Sequence, residues 1–102
     1  MIKARANGRF CLSGPFLSAD APEVYREGLE FLRPGAGTLT YDFSGVGEAD
    51  SSALATVFCW LRVAKERGVT LHVAALPESM RSLAAVYGVS ELLPADQADQ
   101  AD

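Results

Sequence analysis

Little in this sequence offers conventional site chemistry. One histidine, His72, one tryptophan, Trp60, and two cysteines, Cys11 and Cys59, are spread over 102 residues. Neither cysteine stands in a CxxC or Cys/His pattern, which excludes the common zinc and dithiol motifs. Both lie in apolar runs and are expected to be buried free thiols. His72 alternates with Leu71 and Val73 and has no spaced Cys, Asp or His partner, so it reads as a structural or surface residue and not a metal ligand. No GxGxxG and no Walker A pattern is present, and no cofactor is implied. Cations are also scarce. Nine Lys and Arg face 13 Asp and Glu, for a net charge of −4 and a pI of about 4.9. A nucleic-acid surface needs clustered cations, so that partner class is excluded. No run of 18 apolar residues exists, so no membrane-spanning helix is expected. The N-terminus lacks the long apolar segment of a signal peptide, which makes the cytoplasm the expected compartment.

What is present suits one folded domain. The chain is 49% hydrophobic and 22% charged, ordinary for a protein with a buried core, and its length matches one domain. The domain is expected over residues 1–93, with a polar C-terminal tail over 94–102 that has no core-forming pattern.

Punctuation and periodicity set the element order. Ile2 to Arg5 and Arg9 to Ser13 read as short strands about an Asn7-Gly8 turn. Gly14-Pro15 ends the second strand, because proline cannot donate to a ladder. A helix follows with Asp20 as N-cap and Pro22 in its first turn. Its expected stripe is Tyr25, Leu29 and Leu32, and Pro34-Gly35 stops it. Thr38 to Phe43 alternates, with Leu39, Tyr41 and Phe43 on one face. From Ser52 to Arg67 the period is helical, with Leu54, Val57, Phe58, Leu61 and Ala64 as the stripe and Gly68 as the left-handed terminator. Val69 to Ala75 is a strand. Pro77 opens a last helix with Met80, Leu83, Ala84 and Tyr87 inward, closed by Gly88. Val89, Leu92 and Leu93 are then available to cover a sheet edge. The order β-β-α-β-α-β-α implies an α/β domain: a mostly parallel four- to five-stranded sheet with helices packed on one face.

The stretch with most chemical interest is the start of the second long helix, Asp50-Ser51-Ser52-Ala53. A helix N-terminus has unpaired N–H groups and a positive dipole end. Asp and Ser there are good caps, and the same groups could receive a phosphate or a partner's polar group. A Ser51–His72–Asp42 triad can be drawn on paper, but Glu48-Ala49-Asp50 stands where a nucleophile elbow needs G-x-S-x-G. The protein is therefore not expected to be an enzyme.

With these segments in place, the chain resembles the STAS domain, the family named for sulfate transporters and anti-sigma factor antagonists. The marks are Leu12-Ser13-Gly14, Tyr41-Asp42-Phe43-Ser44-Gly45-Val46, Asp50-Ser51-Ser52-Ala53-Leu54 at the family's Asp-Ser/Thr-x-Gly-Leu motif, and Gly68-Val69-Thr70-Leu71. They cover the chain from about Phe10 to Leu93. Ala53 replaces the motif glycine. Together with Leu76-Pro77 and Ser82 to Val89, this is similar to the small STAS subunit of the Mla-type phospholipid ABC transporter of Gram-negative bacteria.

That resemblance implies a non-catalytic subunit that binds the ATPase of a phospholipid-transporting ABC complex and supports its assembly and activity in outer-membrane lipid asymmetry. Such a protein is cytoplasmic and reaches the inner membrane only through its partner. The alternative implied by the wider family is an anti-sigma factor antagonist switched by an anti-sigma factor kinase, with Ser51 as the phosphorylated hydroxyl. In either case the expected interface is Asp50, Ser51, Ser52 and Ala53. Trp60 lies off the helix stripe. It either packs beneath the sheet or a neighbouring helix, or joins this interface as an exposed aromatic anchor.

Overall fold

A computed structural model describes residues 1–93; the polar tail expected over 94–102 lies outside the described residues. Four strands, β1 (Ile2–Ala4), β2 (Arg9–Ser13), β3 (Thr38–Gly45) and β4 (Thr70–Ala74), alternate with three helices, α1 (Ala21–Phe31), α2 (Ser51–Glu66) and α3 (Glu78–Val86). The strands lie in the order β1-β2-β3-β4. β1 is antiparallel to β2, while β2–β3 and β3–β4 are parallel. The α/β sheet expected from the element order is thus present with four strands. Asn7 and Gly8 both take left-handed backbone at the β1–β2 turn, with φ of 61° and 74°, as this dipeptide favours.

One sheet face is apolar and the other polar. Leu12, Leu39, Tyr41, Phe43, Leu71 and Val73 are buried with residues of all three helices in a single core. The opposite face carries Cys11, Thr40, Asp42 and His72, all half-buried. The two cysteines are therefore half-buried rather than enclosed: Cys11 lies on the open face, and Cys59 on a flank of α2. On the open face Arg9 Nη2 donates to Asp42 Oδ2 at 3.1 Å, and Ser44 N donates to Asp42 Oδ1 at 2.8 Å.

Core aromatics set how the helices sit. Trp60 is fully enclosed, with its ring 5.1 Å from that of Tyr41 and edge-on to it. Its Nε1 donates to the Tyr25 carbonyl at 3.0 Å. The face of α1 that meets it is Val24, Gly28 and Leu32, all buried, with Tyr25 and Leu29 at its flanks. This corrects the expected Tyr25–Leu29–Leu32 stripe by about one position. The reason is Gly28: a Cβ built there would lie 2.3 Å from Trp60 Cε2. The missing side chain is the socket for the indole.

The last turn of α1 is closed by side chains from β3, from the residue after its C-cap and from the end of α2. The final carbonyls of a helix have no intrahelical donor. Tyr41 Oη donates to Gly28 O at 2.6 Å, Arg33 Nε to Glu30 O at 2.9 Å and Arg67 Nη1 to Leu32 O at 3.0 Å. Burial pushes the Tyr41 hydroxyl well above the ordinary phenol range, so it remains a donor.

At the other helix ends the expected glycines act as terminators. Gly68 and Gly88 both have φ of 71°. Val69 N donates to Ala64 O and Gly68 N to Lys65 O, and the same pair of bonds follows α3 from Val89 and Gly88. This is the Schellman arrangement. Spacing places Tyr87 in the α3 stripe; it is instead the C-cap of the helix, at 59% exposure. The helix has already ended there, so the helical period no longer fixes its direction. Of the three residues expected to be available to cover a sheet edge, Val89 and Leu93 pack half-buried against the core, while Leu92 faces out.

Two outcomes follow from this packing. Gly28→Ala should destabilise the domain by about 1–3 kcal/mol through overpacking, despite the helix preference of alanine. Urea unfolding followed by the emission of Trp60 measures it. For Asp42, burial disfavours the carboxylate, but hydrogen bonds from Ser44 and the charge of Arg9 outweigh that and hold its pKa below the ordinary carboxylate range. The folded state then binds the proton less tightly than the unfolded chain, whose Asp titrates near about 3.9. The stabilisation is complete above that value and fades as pH falls below it. Asp42→Asn should cost less than about 1 kcal/mol at pH 7 and flatten the loss of thermal midpoint below about pH 4.

Candidate functional site

The start of α2 is held by a single carboxylate. Asp50 has extended backbone, with φ of −125° and ψ of −167°, and is the N-cap. Its Oδ1 accepts from Ser52 N at 2.9 Å, and its carbonyl accepts from Ala53 N at 3.1 Å. Of the Asp and Ser side chains able to cap here, Asp50 takes that duty. Its other oxygen does something spacing did not indicate: Oδ2 accepts from Ser18 N at 3.1 Å. One side chain therefore ties the loop before α1 to the start of α2.

That tie ends a longer backbone zipper. β2 and β3 pair in parallel through Ser13 and Gly45, with a register shift after Cys11. Beyond the strands, Gly14 N donates to Gly45 O at 3.1 Å and Phe16 N to Glu48 O at 2.8 Å. The Ser18–Asp50 bond is next. Close approach here depends on Gly45, where a Cβ would lie 2.6 Å from Leu12 O. The loop 14–18 thus runs beside 45–50 as an extension of the sheet, and it delivers α1 and α2 with their N-termini side by side.

Asp20 differs from its expected role. Its backbone is already helical, with φ of −91°, and its side chain caps no helical N–H. Instead Oδ2 accepts from Leu17 N at 3.0 Å, which closes the turn that leads into α1. The backbone of Asp20 also donates to Leu17 O at 2.8 Å. A helical turn already formed there leaves no extended residue for a conventional cap.

The expected interface residues divide into two groups. Ser51 is exposed, and Asp50 and Ser52 are half-buried. Among the described residues the Ser51 hydroxyl has no hydrogen-bond partner. Ala53 and Trp60, in contrast, have 0% exposure. Trp60 is the wedge between α1 and α2, not a surface anchor, and Ala53 sits under the first turn against the core. Neither presents surface to a partner. A signal for Trp60 was available in Gly28, since glycine inside a helix is unfavourable unless something approaches closely.

The paper triad is not assembled. Asp42 takes its bonds from Arg9 and Ser44, and no hydrogen bond joins Ser51, His72 and Asp42 among the described residues. His72 and Asp42 lie on the open sheet face, whereas α2 covers the other. Among the described residues no cluster of three His, Cys, Asp or Glu could hold a metal, and no helix is long and apolar enough to cross a membrane.

Loss of the cap and loss of the free hydroxyl should separate cleanly. Asp50→Ala should cost about 0.5–2 kcal/mol, the range for an N-cap. Ser51→Ala should stay within about 0.5 kcal/mol of the parent protein, as for exposed positions. Paired thermal or urea unfolding curves decide this; equal losses at both sites would overturn the division of roles.

Comparison with known proteins agrees with this geometry. No curated protein matches the sequence. Among solved structures, a Thermotoga maritima protein described as a candidate anti-sigma factor antagonist superposes with a TM-score of 0.74 at 15% identity, over 99% of this chain and 89% of that one. The phosphorylated form of SpoIIAA, a Bacillus cell fate determinant, gives 0.67 at 14% identity, over 99% of this chain and 94% of that one. The murine anion transporter Solute Carrier 26 family member A9 gives 0.70 at 16% identity, over 92% of this chain but only 18% of the transporter. At such identities these likenesses show the fold. A family model described as "Mlab, STAS domain" matches residues 3–94, and with that match over nearly the whole sequence the chain belongs to the STAS domain family.

Proposed function

We propose that this protein is a non-catalytic STAS subunit that docks on the ATPase of a phospholipid-transporting ABC complex and supports its assembly and activity. The docking surface is the first turn of α2, with Ser51 at its centre. The observation that carries this reading is the exposed hydroxyl of Ser51, unpartnered among the described residues, on a turn fixed by Asp50, in a chain matched by the Mlab-type STAS description. A hydroxyl that caps nothing is free to serve a partner. In this reading the protein is cytoplasmic and meets the inner membrane only through the ATPase. Asp50 and Ser52 frame the contact, while Ala53 and Trp60 support it from beneath.

A second reading has its own observation. The likeness to an anti-sigma factor antagonist and to a phosphorylated SpoIIAA favours a switch at the same place. A kinase would transfer the γ-phosphoryl group of ATP to the Ser51 hydroxyl: the β–γ bridging P–O bond breaks, the Oγ–P bond forms, ADP leaves and the hydroxyl gives up its proton. The product adds about −1.5 to −2 charges beside Asp50 and Glu48. The helix N-terminus tolerates that anion, and an acidic partner surface would be expelled.

Ser51→Glu tests the docking surface. Affinity for the purified ATPase should fall by about tenfold or more, with the thermal midpoint nearly unchanged, because an acidic residue suits a first helical turn. Ser51→Ala should keep binding. Unaltered affinity of the glutamate variant would remove Ser51 from the interface. Intact mass of protein from its native host separates the readings: an adduct of about 80 Da (phosphoryl in place of hydrogen) belongs only to the switch.

A further inference from the structure

An open groove of about 300 Å³ runs between α1 and α2, lined by Ser18, Pro22 and Tyr25 on one side and Ala55, Thr56 and Cys59 on the other. Ala55 lies one turn beyond Ser51 on the same face of α2, and Cys59 one turn further. Ser18 at the groove's end is the residue tied to Asp50. The groove therefore starts one helical turn beyond the exposed hydroxyl, on the same face of α2.

Its chemistry is narrow. The lining is mostly apolar, and no charged side chain belongs to it. The Thr56 hydroxyl is already used, donating to Ser52 O at 2.8 Å. Such a lining offers little to orient a polar small molecule, since ligand sites fix their occupants with convergent polar groups. It suits a bulky apolar side chain held by a macromolecular partner.

Charge around the groove selects that partner. At the end beside Ser51, Asp20, Glu23, Glu48 and Asp50 fall in segments 10–25 and 34–61, which hold no Lys or Arg, while the nearest cations, Arg26 and Arg62, follow Tyr25 by one residue and Cys59 by three, toward the other end of the groove. Glu23 follows Pro22 on the groove wall. Glu48 is joined through its carbonyl to Phe16 N, and Asp50 to Ser18. The two helix N-termini at this end offset about one of these four charges. A two-fold related copy would set this acidic end against itself, which disfavours self-association.

We infer that the α1–α2 groove receives an apolar side chain from a basic segment of the docking partner, with Lys or Arg beside it facing Glu23 and Glu48. This rests on the reading that the first turn of α2 docks the ATPase, and it adds a second, apolar half to that surface. The expected occupant is one large side chain flanked by cations.

The test measures affinity for the purified ATPase subunit, using the intact protein, Ala55→Trp, the Glu23→Lys/Glu48→Lys pair and Ser51→Glu. Ala55 is exposed, so tryptophan there fills the groove without entering the core, and thermal midpoints check that each variant is folded. The expected result is a loss of about tenfold or more for Ala55→Trp. The charge-reversed pair should bind more weakly at low salt and lose most of its salt dependence. Binding of the ATPase should also protect Cys59 from alkylation in a Cys11→Ser background. If Ser51→Glu weakens binding while Ala55→Trp stays within about twofold, the groove proposal is overturned and the docking reading stands. If the intact protein does not bind the ATPase, both are overturned together. If sedimentation shows a dimer of the intact protein that Ala55→Trp dissociates, the groove is a contact between copies and the basic-partner assignment is wrong.

Discussion

Trp60 sits where α1 lacks a side chain, and the layering of the domain depends on that fit. The indole is enclosed between Tyr41 of the sheet and the Gly28 face of α1, and its N–H ends on a backbone carbonyl of that helix. Tyr41 reaches the same helix through the Gly28 carbonyl. Two large aromatics thus fill volume and also satisfy polar atoms, which buried Trp and Tyr require. The pair fixes both the separation and the rotation of α1 against α2. Those two quantities decide whether a groove exists between the helices on the outer side.

The candidate docking surface is a consequence of this layering and of the backbone zipper beyond β2 and β3. Parallel strands bring successive helix N-termini to one edge of the sheet. Here Asp20, Glu23, Glu48 and Asp50 stand around the N-termini of α1 and α2 at that edge. Asp50 uses both carboxylate oxygens on backbone N–H groups, so it is chiefly structural. The adjacent Ser51 is left with a hydroxyl that no bond among the described residues uses. Cap and contact are therefore assigned to neighbouring residues.

The element order and the sheet's buried face were readable because alternation at Leu39, Tyr41 and Phe43 and terminators such as Gly68 act locally. The Asp50 cap was readable for the same reason. Trp60 was not, since α2 packs against both the sheet and α1 and so has two apolar directions; a single stripe captures only one. The same blindness shifted the α1 stripe, where the central residue is a glycine and hydrophobicity does not mark it. Asp20 had the right residue type for a cap, but a turn formed by Leu17 came before it. The Ser18–Asp50 bond and the groove join segments more than thirty residues apart, and no local pattern encodes them. Family resemblance located the motif at Asp50 to Leu54, but the solvent exposure of Ser51 alone among its first residues required coordinates.

The close approach at Gly45 has a thermodynamic consequence. Because β2 and β3 continue as hydrogen-bonded backbone through Gly14, Phe16 and Ser18, the surface that carries Ser51 has already lost the conformational freedom usual in loops. A partner that lands there need not order it. Immobilising loops and side chains is among the larger costs of association, and here folding has met much of it in advance. Recognition by this small domain then depends on the complementarity of a fixed shape, and affinity is open to adjustment by single exposed groups.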